Sequence, residues 1–89
     1  MRNEELLIRL TQTQGIAGYE KKVRELIEEE VRPYADELIV DPLGSLIAVK
    51  KGKGGPRSKK IMFAAHMDEI GFMVKKIEED GRLLVCNVG

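Results

Sequence analysis

His66, the only histidine in the chain, and Asp68, two residues on in Ala65-His66-Met67-Asp68-Glu69, set the chemical possibilities of this sequence. In extended backbone, residues at i and i+2 point to the same side. The imidazole and the carboxylate would then share one space, with Met67 turned away. A neutral imidazole is the commonest nitrogen donor to zinc-like metals. A carboxylate on its second ring nitrogen fixes the tautomer and makes the other nitrogen a better donor. His-x-Asp therefore reads as half of a metal site. The pair also fits a plainer role, a hydrogen-bonded polar edge on a core strand. One histidine completes no site by itself, because structural zinc takes four protein ligands and catalytic zinc three. Asp and Glu are plentiful, but none stands at a spacing that would finish the shell.

The element that must position this pair precedes it. Ile61 to Ala65 is an unbroken apolar run bounded by polar residues. Such a run predicts a strand buried on both faces, as in a parallel or mixed sheet. His66 and Asp68 then fall at its carboxyl end, where α/β folds place their ligands.

Ala64-Ala65-His66-Met67-Asp68-Glu69-Ile70-Gly71-Phe72-Met73-Val74 resembles the signature of the M42 family of metallo-aminopeptidases, which includes glutamyl, deblocking and TET-type enzymes. Two further stretches match in order: Gly15-Ile16-Ala17-Gly18-Tyr19-Glu20 and Val40-Asp41-Pro42-Leu43-Gly44. Asp80-Gly81 and Asn87-Val88-Gly89 also fit. The resemblance covers nearly the whole chain, although the family's enzymes are several times longer. It implies a site of two divalent metal ions, zinc or cobalt, that hydrolyses amino-terminal peptide bonds, one metal polarising the carbonyl and both activating water. By the same resemblance His66 is a metal ligand, and Asp68 is the catalytic-site aspartate that orients it. Glu69 receives no role. The bridging aspartate, the glutamate general base and the other ligands would come from later sequence. A peptide substrate and a homo-oligomeric complete enzyme are likewise implied.

Composition bounds the alternatives. Eighty-nine residues make one small domain with a modest core. Fifteen basic and fifteen acidic side chains cancel, so no global field favours nucleic acid or an anionic membrane. No apolar run approaches the ~20 residues of a membrane span, and Met1-Arg2-Asn3-Glu4-Glu5 lacks a signal-peptide layout. A lone Cys86 excludes an internal disulfide and points to a reducing, cytoplasmic setting; it reads as a small hydrophobe in a strand.

Asn3 can cap a first helix whose apolar stripe is Leu6, Leu7 and Leu10. Gly15 and Gly18 bracket a loop with a structural role. Val23, Leu26, Ile27 and Val31 form one face of a helix over Tyr19 to Arg32, ended by Pro33. Lys21–Glu25 and Arg24–Glu28 can pair at i+4, and Glu28-Glu29-Glu30 reads as a solvated face. Glu37 to Val40 and Ser45 to Lys50 predict strands joined by a turn at Asp41-Pro42-Leu43-Gly44. The basic connector Lys51 to Lys60 has no interleaved aromatics and reads as solvated loop. Gly71 to Ile77 and Arg82 to Val88 flank Glu79-Asp80-Gly81, a hairpin signal. Alternation of Phe72 and Val74 with Met73 predicts one buried face.

The expected fold is α/β: two amino-terminal helices on a mixed β-sheet, with residues 1–89 forming the incomplete amino-terminal part of an M42-like catalytic domain. The expected function is that portion of a dinuclear aminopeptidase, the chain alone being inactive. One rival is a truncated, non-catalytic fragment that acts only by association. A carbohydrate hydrolase ranks lower, since that chemistry needs two carboxyl groups facing across a glycosidic bond and leaves His-x-Asp unexplained.

Overall fold

A computed structural model describes residues 2–89. Helix α1 spans Asn3–Gln12 and α2 spans Lys21–Val31; β1 (Glu37–Val40) and β2 (Leu46–Val49) follow, then β3 (Gly71–Ile77) and β4 (Leu83–Val88). The α/β class is what forms. The strands divide between two antiparallel two-stranded sheets, β1–β2 and β3–β4, and parallel pairing is represented by one bridge, Ile16 to Glu69.

Asn3 does not cap α1. It is the first helical residue, Arg2 holds the cap position, and the Glu5 carboxylate accepts the Arg2 amide at 3.3 Å. Glu5 reaches back over the amide of the preceding turn, half of a capping box. In α2 the predicted apolar face faces inward: Val23 and Leu26 are buried, Ile27 and Val31 half-buried. The helix starts two residues later than the periodicity predicts, because Tyr19 and Glu20 belong to the turn that feeds it. There Gly18 takes φ +87° and donates its amide to the Glu20 carboxylate at 2.7 Å. Pro33 sits in a short 3-10 turn, Arg32–Tyr34, that closes the helix.

The acidic run on α2 is more than a solvated face. Arg9 of α1 bonds Glu30 at 2.8 Å and approaches Glu29 at 3.6 Å, tying the two helices together. Lys21 meets Glu25 at 3.8 Å as the spacing predicts, whereas Glu28 pairs with Arg32 rather than with Arg24.

Both hairpins have the predicted turns. Asp41 Oδ1 accepts the amides of Leu43 at 3.0 Å and Ser45 at 2.8 Å, and Gly44 adopts φ +91°, a region open to glycine. In the second, Gly81 at φ +87° donates to Glu78 O at 3.0 Å, and the β3–β4 register shifts between Val74 and Lys76.

The Ile61–Ala65 strand does not form. The segment pairs with no ladder, and Ile61, Met62 and Phe63 are 80%, 87% and 94% exposed. A strand buried on both faces needs neighbours on both sides, and neither hairpin lies along it. The β3–β4 hairpin likewise buries neither face within the chain: Phe72 is 67% and Val74 51% exposed on one side, and Met73 is 39% exposed on the other. Cys86, in β4, is exposed too.

The result is an extended object. Its radius of gyration is 17.8 Å, where a compact chain of this length has about 12 Å. Its accessible surface is 8160 Å², where a folded monomer of 10.0 kDa has about 5,200 Å². Much apolar surface therefore stands in water. Among the described residues no helix is long and apolar enough to cross a membrane.

Candidate metal-facing site

His66 and Asp68 meet as the i, i+2 spacing predicts. His66 Nδ1 lies 3.0 Å from Asp68 Oδ1 and 3.0 Å from the Asp68 carbonyl oxygen. Both partners are acceptors, so Nδ1 carries the proton of the neutral ring. The lone pair is then on Nε2, the nitrogen competent to bind a metal. Asp68 is partly sheltered, its side chain 38% exposed, while His66 is 85% exposed.

The pair stands without the strand expected to carry it, and neighbouring backbone holds it instead. The Glu69 amide donates to Gly15 O at 2.8 Å, next to the Ile16–Glu69 bridge. Glu69 contributes its backbone to this seat. Gly71 approaches Ile16 so closely that an added Cβ would stand 2.2 Å from Ile16 Cγ2. The loop between Gly15 and Gly18 is structural, as read from the sequence, but its role as a seat for the His66 segment was not legible. Two glycines in separate family-like stretches were the available signal.

His66 and Asp68 line an open cleft of about 410 Å³ with Glu20, with Ile27 and Val31 of α2, and with Leu46 and Ala48 of β2. The Asp41–Ser45 turn completes it through Leu43, Gly44 and Ser45. Arg24 bonds that turn: its Nη1 donates to Gly44 O at 3.1 Å, and Glu28 pairs with Arg32. Among the described residues no three His, Cys, Asp or Glu side chains gather into a metal-sized cluster. The donor chemistry present fits one imidazole ligand with its orienting carboxylate.

The sequence profile of the M42 glutamyl aminopeptidases matches residues 44–89, from the β1–β2 turn through the His66–Asp68 pair to the end of the chain. The chain belongs to the M42 peptidase family. Three relatives give the extent of the match. A protein of Acetivibrio thermocellus provisionally named an aminopeptidase is 53% identical over 85 residues, 96% of this chain and 24% of its own length. An aminopeptidase structure from the archaeon Desulfurococcus kamchatkensis superposes with TM-score 0.85 at 41% identity, covering 96% of this chain and 23% of that one. A structure from Thermotoga maritima described as an endoglucanase gives TM-score 0.80 at 44% identity, covering 91% and 25%. This chain thus spans about a quarter of the length of the relatives it matches.

Proposed function

We propose that the chain is the amino-terminal portion of a metal-dependent aminopeptidase that hydrolyses amino-terminal peptide bonds at two divalent metal ions, zinc or cobalt. The observation that carries this reading is the His66–Asp68 contact inside a segment matched by the M42 profile. When bound, the metals supply Lewis acidity to the scissile carbonyl and make water acidic enough to attack at neutral pH.

The chain's own contribution is one half of a ligand shell. Asp68 holds the proton on Nδ1 of His66, so Nε2 is left with the lone pair as a fixed donor. The cleft beside it is lined by the apolar side chains of Ile27, Val31 and Leu46. General-base chemistry and the other ligands belong to sequence beyond this segment. The chain's excess surface over a compact fold of its mass supports the same reading, because an incomplete domain leaves its apolar faces uncovered. We further assign the complete enzyme to the cytoplasm, to peptide substrates and to a homo-oligomer.

A carbohydrate hydrolase is disfavoured on chemistry. Two carboxyl groups about 5–10 Å apart would have to flank one cleft without any call on a histidine, whereas the built contact here is imidazole to carboxylate.

A chimera tests the proposal: residues 1–89 replace the matching segment of the Desulfurococcus kamchatkensis aminopeptidase. It should cleave aminoacyl-anilides in a chelator-sensitive manner and leave cellulose oligomers intact. His66→Ala should abolish turnover and lower the metal content. Full metal content and turnover in His66→Ala would overturn the assignment.

A further inference from the structure

The Asp68–Glu69 peptide group is held from both ends. Its carbonyl oxygen lies 3.0 Å from His66 Nδ1, and its N–H donates to Gly15 O at 2.8 Å. In a trans peptide the C=O and N–H point in opposite directions within one rigid plane. Gly15 O therefore fixes the plane whose other edge grips the imidazole.

Two missing side chains allow this approach. A Cβ on Gly15 would stand 2.8 Å from Val23 Cγ1 in the buried face of α2, and 3.5 Å from Met67 O. A Cβ on Gly71 would stand 2.2 Å from Ile16 Cγ2, a separation real atoms do not sustain. Neither glycine has a positive φ, so close approach, rather than backbone conformation, is what excludes a side chain at both.

We propose that Gly15, Ile16 and Gly71 form a positioning lock for His66, seating the Asp68–Glu69 peptide so that the ring is held as its Nδ1–H tautomer before any metal arrives. The proposal rests on the reading of His66 as a ligand but concerns the metal-free chain. None of the three residues touches substrate or metal. Their effect passes through one peptide plane.

The test is ring nitrogen-15 NMR of the 89-residue chain at alkaline pH. His66 is its only histidine, so the two ring signals need no assignment. The wild type should show distinct protonated and unprotonated nitrogens in a single tautomer, with a protected Glu69 amide. Gly71→Ala should collapse the ring signals toward an average and release the Glu69 amide, leaving the β1–β2 amides in place. Ile16→Ala added to Gly71→Ala removes the clashing Cγ2 and should restore the single tautomer. Gly15→Ala should behave like Gly71→Ala. Gly52→Ala, with nothing within 4 Å, should change nothing.

A wild-type ring that averages between tautomers would overturn the lock, and so would a fixed ring in Gly71→Ala. Failure of the Ile16→Ala rescue, or loss of the β1–β2 amides together with the ring signature, would show a general packing effect and overturn it too. Metal retained by the His66→Ala chimera would instead sink the ligand reading and leave the tautomer result standing.

Discussion

His66 Nδ1 stands 3.0 Å from Asp68 Oδ1, and this contact acts with the equally close Asp68 carbonyl oxygen to select which ring nitrogen is left to face a metal. Without the carboxylate only the Asp68 carbonyl oxygen would hold the Nδ1 proton, and more of the population would present N–H where a lone pair is needed.

Asp68→Ala in the chimera should therefore weaken zinc or cobalt binding about 10–100-fold, the usual cost of losing a carboxylate behind a histidine ligand. Competition with a chromophoric chelator measures it. Unchanged affinity would leave Asp68 as a surface residue that touches His66 without consequence.

The chain alone should hold metal weakly and turn over no substrate. One imidazole leaves most of a coordination shell to water, where catalytic zinc uses three protein ligands. Assay of the purified 89-residue chain on aminoacyl-anilides with added zinc or cobalt checks this. Chelator-sensitive turnover that co-purifies with the chain through successive columns would refute it.

Arg24 offers a more local test. Its guanidinium donates to Gly44 O at 3.1 Å in a partly buried setting, joining α2 to the turn that lines the cleft. Hydrogen bonds from charged groups contribute about 1.5–3 kcal/mol, less where solvent reaches them. Arg24→Ala should speed exchange of the Gly44 and Ser45 amides about tenfold, equivalent to roughly 1.4 kcal/mol. Arg24→Met keeps the apolar stem and should lose as much. If Met matches wild type, packing rather than the hydrogen bond holds the turn.

Sequence legibility followed the range of the interactions. The turns at Asp41–Gly44 and Glu79–Gly81 are set by local side-chain bonds and by glycines that accept positive φ, and both were predicted in place. The inward face of α2 was equally clear, because Val23, Leu26, Ile27 and Val31 repeat with the helix. His66 and Asp68 met because their spacing brings them together with little help from the fold. Partners supplied by distant segments were not legible. Arg24 chose Gly44 over Glu28, and Glu30 chose Arg9. Ile61–Ala65 has the composition of a strand, yet a strand exists only by pairing, and the described residues bring it no partner.

That unpaired segment motivates the last prediction: the isolated chain should self-associate or bind hydrophobic dye. Phe63 is 94% exposed, Met62 87% and Ile70 84%, while Val23 and Leu26 are the buried hydrophobic side chains among the described residues. Strands β3 and β4 each have one edge without a ladder, and such edges recruit other chains. Covering about 400 Å² of apolar surface at ~25 cal/mol per Å² is worth about 10 kcal/mol. That gain equals the whole net stability of a typical domain, about 5–15 kcal/mol. Association of copies at micromolar concentration is therefore the expected outcome. Sedimentation velocity over a concentration series should show mass rising with concentration. Phe63→Asp with Ile70→Lys should reduce it, since charge on those positions makes their burial costly. A concentration-independent monomer that unfolds cooperatively and binds no dye would mean that these residues close their own core. The incomplete-domain reading would then fall with it.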